Sequence, residues 1–316
     1  MNVLEVVVTL LLVLIAFLTL PLLVGQMEHK AMAHMQARLG PMYAGAFHGV
    51  GQLVADGVKF AQKEDVLPER ADPVIFRLAP VLGLLPYLVA MIAIPLSPTI
   101  VGIDSDLALF FVLAALGVAV LGPLMASWAS ANKFALLGGM RQAAQLVAYE
   151  LPLVLAAASV AMAAGTLSLI GIVEAWQPWW LLWQLPALVV FSIAALAELS
   201  RPPFDMPIAD AEIIMGPLTE YTGLRFALFL LGEYAGIVVF SALAAVLFLG
   251  GWSGPGPEWL GVFWTLLKTL ALAFVVIWLR VSVPRMRADQ LQRLAWVVLV
   301  PVALGQLALT AVVVLA

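Results

Sequence analysis

Residues 194–240 read AALAELSRPPFDMPIADAEIIMGPLTEYTGLRFALFLLGEYAGIVVF, two apolar runs separated by a polar segment that contains four prolines. Proline lacks a backbone donor and clashes inside a helix, so the polar segment cannot continue one helix. An ionised group near the centre of a bilayer costs at least about 2.5–3.5 kcal/mol, so charges kept in such a stretch favour a functional role. Eight charged side chains occur there: Glu198, Arg201, Asp205, Asp210, Glu212, Glu220, Arg225 and Glu233.

The composition of the whole chain agrees with a membrane protein. Of 316 residues, 64% are hydrophobic and 11% are charged, and the mean hydropathy is +1.08. A soluble domain is about a quarter charged. The absence of cysteine excludes disulfides and thiolate-ligated iron–sulfur or zinc sites, so any redox cofactor would have to sit on a partner. With a net charge of -4 and no basic surface, nucleic acid is not an expected partner.

Eight stretches are long enough for the roughly 20 helical residues that cross a bilayer. They are residues 4–24, 74–96, 107–125, 136–164, 180–197, 221–249, 262–281 and 294–314. We therefore predict an all-α, polytopic membrane protein with about eight transmembrane helices, forming one membrane domain over residues 1–316. The first apolar run has neither a basic n-region nor a clear cleavage site, so we interpret it as an anchor and not as a signal peptide.

The basic residues are distributed very unevenly between the two sets of connections. Fourteen of the fifteen Lys and Arg residues lie in or beside segments 27–72, 126–135, 198–219 and 282–293, and the remaining one, Lys268, lies in a span. Because positive residues stay in the cytoplasm, these segments should be cytoplasmic, with both termini on the periplasmic side. The expected location is the inner or plasma membrane of a bacterial-type cell.

The long first connection, residues 27–72, contains a pattern typical of an amphipathic helix. Asp56, Lys59, Lys63 and Glu64 lie elsewhere on the helical wheel than its apolar positions, which are Val50, Leu53, Val54, Val58 and Ala61. Such a helix lies at the membrane interface or against a partner. The alternative is a helix that only rests on lipid.

Ordered motifs run along nearly the whole chain. They include EHK at 28–30, QARLGP at 36–41, ADGVKFAQKE at 55–64, RQAAQ at 141–145, the 197–213 segment, TEYTGLRFA at 219–227, EY at 233–234, LGGW at 249–252 and PRMRADQL at 284–291. With these motifs the chain resembles the quinone-proximal membrane subunit, the H subunit, of respiratory complex I, NADH:quinone oxidoreductase. It departs from the family pattern, which has Arg, Asn, Pro and two Glu residues, at His29, Met42, Leu53, Ile208 and Asp210.

The resemblance implies a cavity for quinone, walled by the cytoplasmic loops 27–72 and 198–219. Such a cavity needs apolar walls and a few polar groups near the head of the substrate. The candidate quinone-binding residues are Arg38, Asp56, Lys59, Phe60, Arg201, Phe204 and Asp205. Alternatively, the two arginines anchor the cytoplasmic face or pair with acids of a docked partner, and the two phenylalanines only pack.

A second implied role is a proton link, because reduction of a quinone to a quinol takes up two protons. Its candidates are Glu150, Glu198, Asp210, Glu212, Glu220, Glu233 and Lys268. Glu233 lies 13 residues after Glu220, about 20 Å along a helix, and so reaches well into the bilayer. The alternatives are a neutral acid held between helices or an acid paired with Lys268; Glu198 could instead be solvated or paired with Arg201.

The implied protein is a non-catalytic subunit of a proton-translocating NADH-quinone oxidoreductase. No cofactor is expected in this chain: quinone, either ubiquinone or menaquinone, is the substrate, and flavin and iron–sulfur clusters belong to partners. The expected partners are peripheral quinone-module subunits, small membrane subunits and the lipid bilayer. His29, His34 and His48 lack the spacing of a metal site. The alternatives are the corresponding membrane subunit of an energy-converting hydrogenase and a secondary transporter, which would show internal repeats.

Overall fold

The computed structural model describes residues 3–45 and 47–315, and all regular secondary structure in these ranges is helical, which confirms the predicted all-α class. The helices are α1 (Val3–Met35), α2 (Gln52–Gln62), α3 (Pro73–Ala93), α4 (Ala108–Ala119), α5 (Leu121–Ala129), α6 (Lys133–Ala164), α7 (Leu169–Ala175), α8 (Trp180–Trp183), α9 (Leu185–Glu198), α10 (Asp210–Ile213), α11 (Gly223–Phe248), α12 (Gly261–Ser282), α13 (Ala288–Arg293) and α14 (Val300–Leu315). A π-helical turn, Leu294–Leu299, joins α13 to α14.

Seven helical segments of the described residues are long and apolar enough to cross a membrane. They are Val7–Met35, Pro73–Ala93, Ala108–Ala129, Lys133–Ala164, Gly223–Phe248, Gly261–Ser282 and Ala288–Leu315. The remaining predicted span, 180–197, is divided at Gln184 into α8 and α9. The 14 residues of α9 extend only about 21 Å, whereas α8 and α9 together extend about 28 Å. The prediction of about eight spans is therefore consistent with the structure.

Capping residues explain where the best-defined spans begin and end. Asp72 accepts hydrogen bonds from the backbone amides of Val74 and Ile75 and precedes the proline that starts α3. Asn132 caps α6 in the same way through the amide of Phe134. The same helix ends at Gly165, whose φ of 69° is the left-handed conformation that glycine adopts without steric cost.

Helix α11 lies at the centre of the bundle and packs against α1, α3 and α12. Glycines allow a very close approach here: a Cβ on Gly122 would lie 2.4 Å from the amide nitrogen of Gly83, and one on Gly232 would lie 2.7 Å from the carbonyl oxygen of Gly83. The backbones of α3, α5 and α11 are therefore in contact, as small residues permit in membrane bundles. This contact fixes the position of Glu233, the residue after Gly232.

Helix α2 is the predicted amphipathic helix, and it lies across the ends of α1 and α11. Leu53 fits between the two, because a Cβ on Gly25 would come within 2.9 Å of its Cδ1 and within 3.5 Å of Tyr234. Val54 and Val58 are exposed on its other side. The side of α2 that carries these two valines is therefore available for contact with lipid or with a partner protein.

The orientation of the bundle is a first prediction. In this cysteine-free chain, Asp104→Cys in the α3–α4 connection should react with a membrane-impermeant maleimide added to intact cells, because that connection carries no Lys or Arg. Lys63→Cys and Lys133→Cys should react only in inverted vesicles. The parent protein is the blank for background labelling, and reaction of all three variants from one side would contradict the orientation.

Candidate functional site: a buried charge network and an acid-lined cavity

Four charged side chains meet in the interior, where α1, α11 and α12 converge on the turn that follows α9. The Nη1 atom of Arg201 lies 2.5 Å from Oε2 of Glu28, and its Nε lies 2.6 Å from Oε1 of Glu233. Arg280 donates to the other oxygen of Glu28. Arg201 and Glu28 are each only 1% exposed. The network contains two cations and two anions, the pairing that buried charges require.

The surroundings of Arg201 favour its charged form. Burial opposes protonation, but the negative charges of Glu233 and Glu28 outweigh it and raise the pKa of Arg201 above its usual range. The guanidinium also lies 5.0 Å from the centre of the Tyr234 ring, a cation–π distance. Arg201 is therefore a fixed positive charge that holds α1 and α11 to the turn after α9.

A cavity of about 70 Å³ lies beside this network. Glu198 and Glu233 line it together with Tyr87 and Gln142, and the rest of its wall is mostly apolar. A space of roughly 10–15 Å³ holds one water molecule, so this cavity has room for several. Among the described residues, Glu198 forms no ion pair, and its Oε2 is buried without a hydrogen-bond partner from the chain. The cavity wall thus contains two acids, Glu233, which is paired with Arg201, and Glu198, which has no cation partner among the described residues.

Glu150 lies close to the far side of this cavity. A Cβ on Gly117 would be 3.0 Å from Oε1 of Glu150, so the carboxylate rests against α4, two residues from the cavity-lining Ala119. In the isolated chain Glu150 is exposed on the lateral surface of the bundle. The three acids Glu233, Glu198 and Glu150 therefore lead from the network to that surface.

The turn after α9 is held by α6 and by the segment after α12. Gln145 Nε2 donates to the carbonyl oxygens of Ala197 at 2.5 Å and Phe204 at 2.8 Å. Phe204 is buried edge-on against Tyr149 at 5.5 Å, as the packing alternative predicts. Asp205 lies 2.9 Å from Nε of Arg285. These contacts give the turn a defined conformation.

The four quinone-binding candidates of segment 27–72 lie nearer the surface: Arg38, Asp56, Lys59 and Phe60. Arg38 is exposed and donates to Gln36 at 2.8 Å. The Lys59 ammonium lies 3.7 Å from Asp56 and its side chain is 72% exposed. Phe60 packs against Phe226 of α11, with ring centres 5.7 Å apart. The structure thus buries Arg201 and Phe204 and half-buries Asp205, and it places Asp56, Lys59 and Phe60 on α2 and Arg38 in the segment before α2.

Comparison with known proteins supplies the family. The family model described as NADH dehydrogenase matches residues 7–311. The chain belongs to the NADH dehydrogenase family. It is 42% identical over 307 residues to the H subunit of NADH-quinone oxidoreductase from Geobacillus kaustophilus (strain HTA426), covering 96% of this chain and 91% of that protein. It is 43% identical over 312 residues to the H subunit from Anoxybacillus flavithermus (strain DSM 21510 / WK1), covering 97% and 92%. The resemblance carried by the motifs is thereby confirmed.

In this member of the NADH dehydrogenase family, two of the remaining acids, Glu212 and Glu220, lie in the segment between α9 and α11. Arg141 lies 2.5 Å from Glu212, which is exposed, and its hydrogen bond lowers the pKa of Glu212. Asn132 donates to Glu220 at 2.5 Å. The side chain of Asp210 lies outside the part of the chain that the structure describes. Whether these three residues carry protons stays a prediction.

The alternative in which Lys268 pairs with Glu233 or Glu150 is not found among the described residues. Its ammonium donates instead to the carbonyl oxygens of Leu249, Gly251 and Ser253 at 2.8, 2.8 and 2.6 Å. Lys268 therefore satisfies carbonyls at the C-cap of α11 and in the turn that follows it, where the helix dipole also favours a cation. The cation that pairs with Glu233 is Arg201.

Sequence reasoning missed three members of the site: Glu28, Arg280 and Tyr87. Glu28 belongs to the 28–30 motif and Arg280 ends α12, so both were visible as charges beside apolar runs. What the sequence could not show is that residues 252 positions apart would form an ion pair. Tyr87 gave no signal, since it is one aromatic residue in an apolar span.

The network generates a stability prediction. Glu28→Gln leaves Arg201 and Arg280 with one remaining carboxylate, and breaking a buried pair in this way costs about 3–5 kcal/mol. The assembled, detergent-solubilised complex should therefore lose this subunit at a lower temperature, as followed by size-exclusion chromatography after heating. Glu174→Gln, an exposed acid on α7, is the matched control. Equal heat resistance of both variants would show that the network is not stabilising.

Proposed function

We propose that this chain is the quinone-proximal membrane subunit of a complex I-type NADH-quinone oxidoreductase, and that it links quinone reduction to proton translocation. The observation that carries the proposal is the 42% identity to an H subunit of NADH-quinone oxidoreductase over 96% of the chain. The charge network and the acid-lined cavity support the finer parts. In this proposal the chain is a multi-pass protein of the plasma membrane with periplasmic termini, and segments 27–72 and 198–219 are cytoplasmic.

The redox chemistry of the complex belongs to other subunits in this proposal. Flavin and iron–sulfur clusters on peripheral partners deliver two electrons to the quinone, which takes up two protons and leaves as quinol. This chain supplies part of the quinone cavity and no electron carrier. The exposed face of α2, with Val54 and Val58, is the surface for the quinone-module partners.

The proposed quinone cavity lies between the first loop and the turn after α9. Helix α2 supplies Asp56, Lys59 and Phe60, Arg38 precedes it, and Arg201, Phe204 and Asp205 support the opposite wall. Leu53 and Phe226 add apolar surface at the contact of α2 with α1 and α11. An apolar substrate with a polar head fits such a combination of apolar walls and few polar groups.

The proposed proton link starts at the charge network. Negative charge that develops on a quinone near the network competes with Glu233 for Arg201, and a Glu233 carboxylate with weaker pairing can accept a proton. Water in the cavity then connects Glu233 with Glu198, where no cation holds the carboxylate ionised. Glu150 continues the series to the lateral surface. Small membrane subunits would receive the proton there, and Lys268 is not part of this path.

The proton link is tested by removing its unpaired acid. Glu198→Gln in the assembled complex, reconstituted in vesicles, should lower proton pumping by about a hundredfold, the lower end of the effects for a lost proton-transfer group. Electron transfer from NADH to a water-soluble artificial acceptor should not change, because that reaction bypasses this subunit. Glu174→Gln on the outer surface is the control. Pumping at the parental ratio in Glu198→Gln would remove Glu198 from the link.

The quinone cavity is tested at α2. Phe60→Ala should raise the KM for quinone about three- to tenfold, since one aromatic contact contributes roughly 0.5–1.5 kcal/mol. A packing role alone would lower heat resistance and leave the KM unchanged. Phe263→Ala, an exposed phenylalanine at the other end of the bundle, is the matched control. An unchanged KM in Phe60→Ala with full assembly contradicts the placement of quinone beside α2.

A further inference from the structure

A second, separate depression lies on the lateral surface, between α9 and α12. Both helices pack against α11, but they leave an apolar groove between them with a volume of about 50 Å³. Its floor is made by small side chains, Ala195, Ser241 and Ala244, and Val275 stands exposed at its rim. No residue of the charge network lines this groove, and the groove shares only Leu199 with the lining of the cavity beside Glu198.

The groove has the length of one leaflet. Its lining extends from Leu272 to Leu279 on α12 and from Phe191 to Leu199 at the end of α9, about 10–12 Å at 1.5 Å per residue. Half of a hydrocarbon core of about 30 Å is about 15 Å. Since Leu199 and Leu279 precede Arg201 and Arg280, the groove begins at the cytoplasmic boundary and ends near the midplane.

A basic segment lies beyond the proposed cytoplasmic end of the groove. The chain that leaves α12 crosses to the turn after α9, where the amide of Met286 donates to the carbonyl oxygen of Pro203 at 3.2 Å. Arg285, paired with Asp205, and Arg287 lie in this crossing segment. Arg287 is exposed and forms no ion pair within residues 3–45 and 47–315. A cation at this level faces the headgroups of the cytoplasmic leaflet.

We propose that the groove between α9 and α12 holds one acyl chain of an anionic phospholipid, with its phosphate at Arg287. A transmembrane helix is about 10–12 Å wide with its side chains and does not enter a groove of this volume. An acyl chain that lies along the groove can fill it with a few of its methylene groups. The positive charge at the cytoplasmic end selects a phospholipid over an isoprenoid tail, whose quinone head carries no charge. The inference does not depend on the proposed quinone cavity.

The occupant is identified by photochemistry in the assembled complex. The probe is phosphatidylglycerol with a photoreactive acyl chain, in vesicles that contain the reconstituted complex, and phosphatidylcholine with the same chain is the comparison. Labelling should concentrate on segments 191–199 and 272–279 and should be stronger with phosphatidylglycerol. Arg287→Gln should remove the difference between the two lipids without abolishing labelling.

A groove-filling variant supplies the second arm. Ala244→Leu should lower labelling by phosphatidylglycerol about tenfold, the effect of losing the burial of about two methylene groups. Ala271→Leu makes the same change on α12 outside the groove and should label like the parent. Equal labelling of Ala244→Leu and parent, or equal labelling by both lipids in the parent, overturns the proposal.

A photoreactive residue in place of Val275 covers the case in which Ala244→Leu fails to assemble. Crosslinks from that position to phospholipid support the proposal, and crosslinks to a partner helix or to an isoprenoid quinone overturn it. Quinone reduction is measured on every variant. A loss of labelling with full quinone reduction separates this lipid site from the proposed quinone cavity.

Discussion

The pairing of Arg201 with Glu28 and Glu233 is the interaction on which the arrangement of this protein depends. Arg201 is nearly inaccessible to solvent, and an unpaired charge at such a position would cost several kcal/mol. Its partners come from α1 and α11, and Arg280 from α12 completes the neutral set. These helices can pack only where all four charges meet. The ion pairs therefore fix the relative positions of α1, α11 and α12, and they also form part of the candidate functional site.

The same packing also explains why the cavity lies between Glu233 and Glu198. Gly232 brings the backbone of α11 against α3, which places Glu233 between the network and the cavity. Pro202 and Pro203 end the preceding helix, so Glu198 is the last residue of α9 and lies on the same cavity. An acid held by an arginine and an acid without a cation therefore share one space that has room for water. In the proposed proton link, this combination lets a change of charge near Arg201 alter the proton occupancy of Glu198.

Hydropathy and local patterns predicted the helices well, but side-chain partners depended on distant packing. The predicted span 221–249 corresponds to Gly223–Phe248, and the predicted amphipathic helix is α2. Two breaks were missed, at Val120 and at Gln184, because each lies within an apolar stretch, two or three residues before a proline that hydropathy does not register. The alternative that pairs Lys268 with an acid fails because span positions alone do not give helix rotation, and the ammonium instead contacts carbonyls at and beyond the C-cap of α11.

The two lateral faces of the bundle have different requirements, and each follows from its side chains. Glu150 is exposed beside α4, and an ionised acid in contact with hydrocarbon costs at least about 2.5 kcal/mol, so this face needs a protein partner that offers polar groups. The face between α9 and α12 has an apolar groove and a basic boundary, so lipid satisfies it. Under the proposed function, a proton that leaves through Glu150 therefore passes into a partner protein. The α9–α12 face, which is apolar with a basic boundary, stays in contact with lipid.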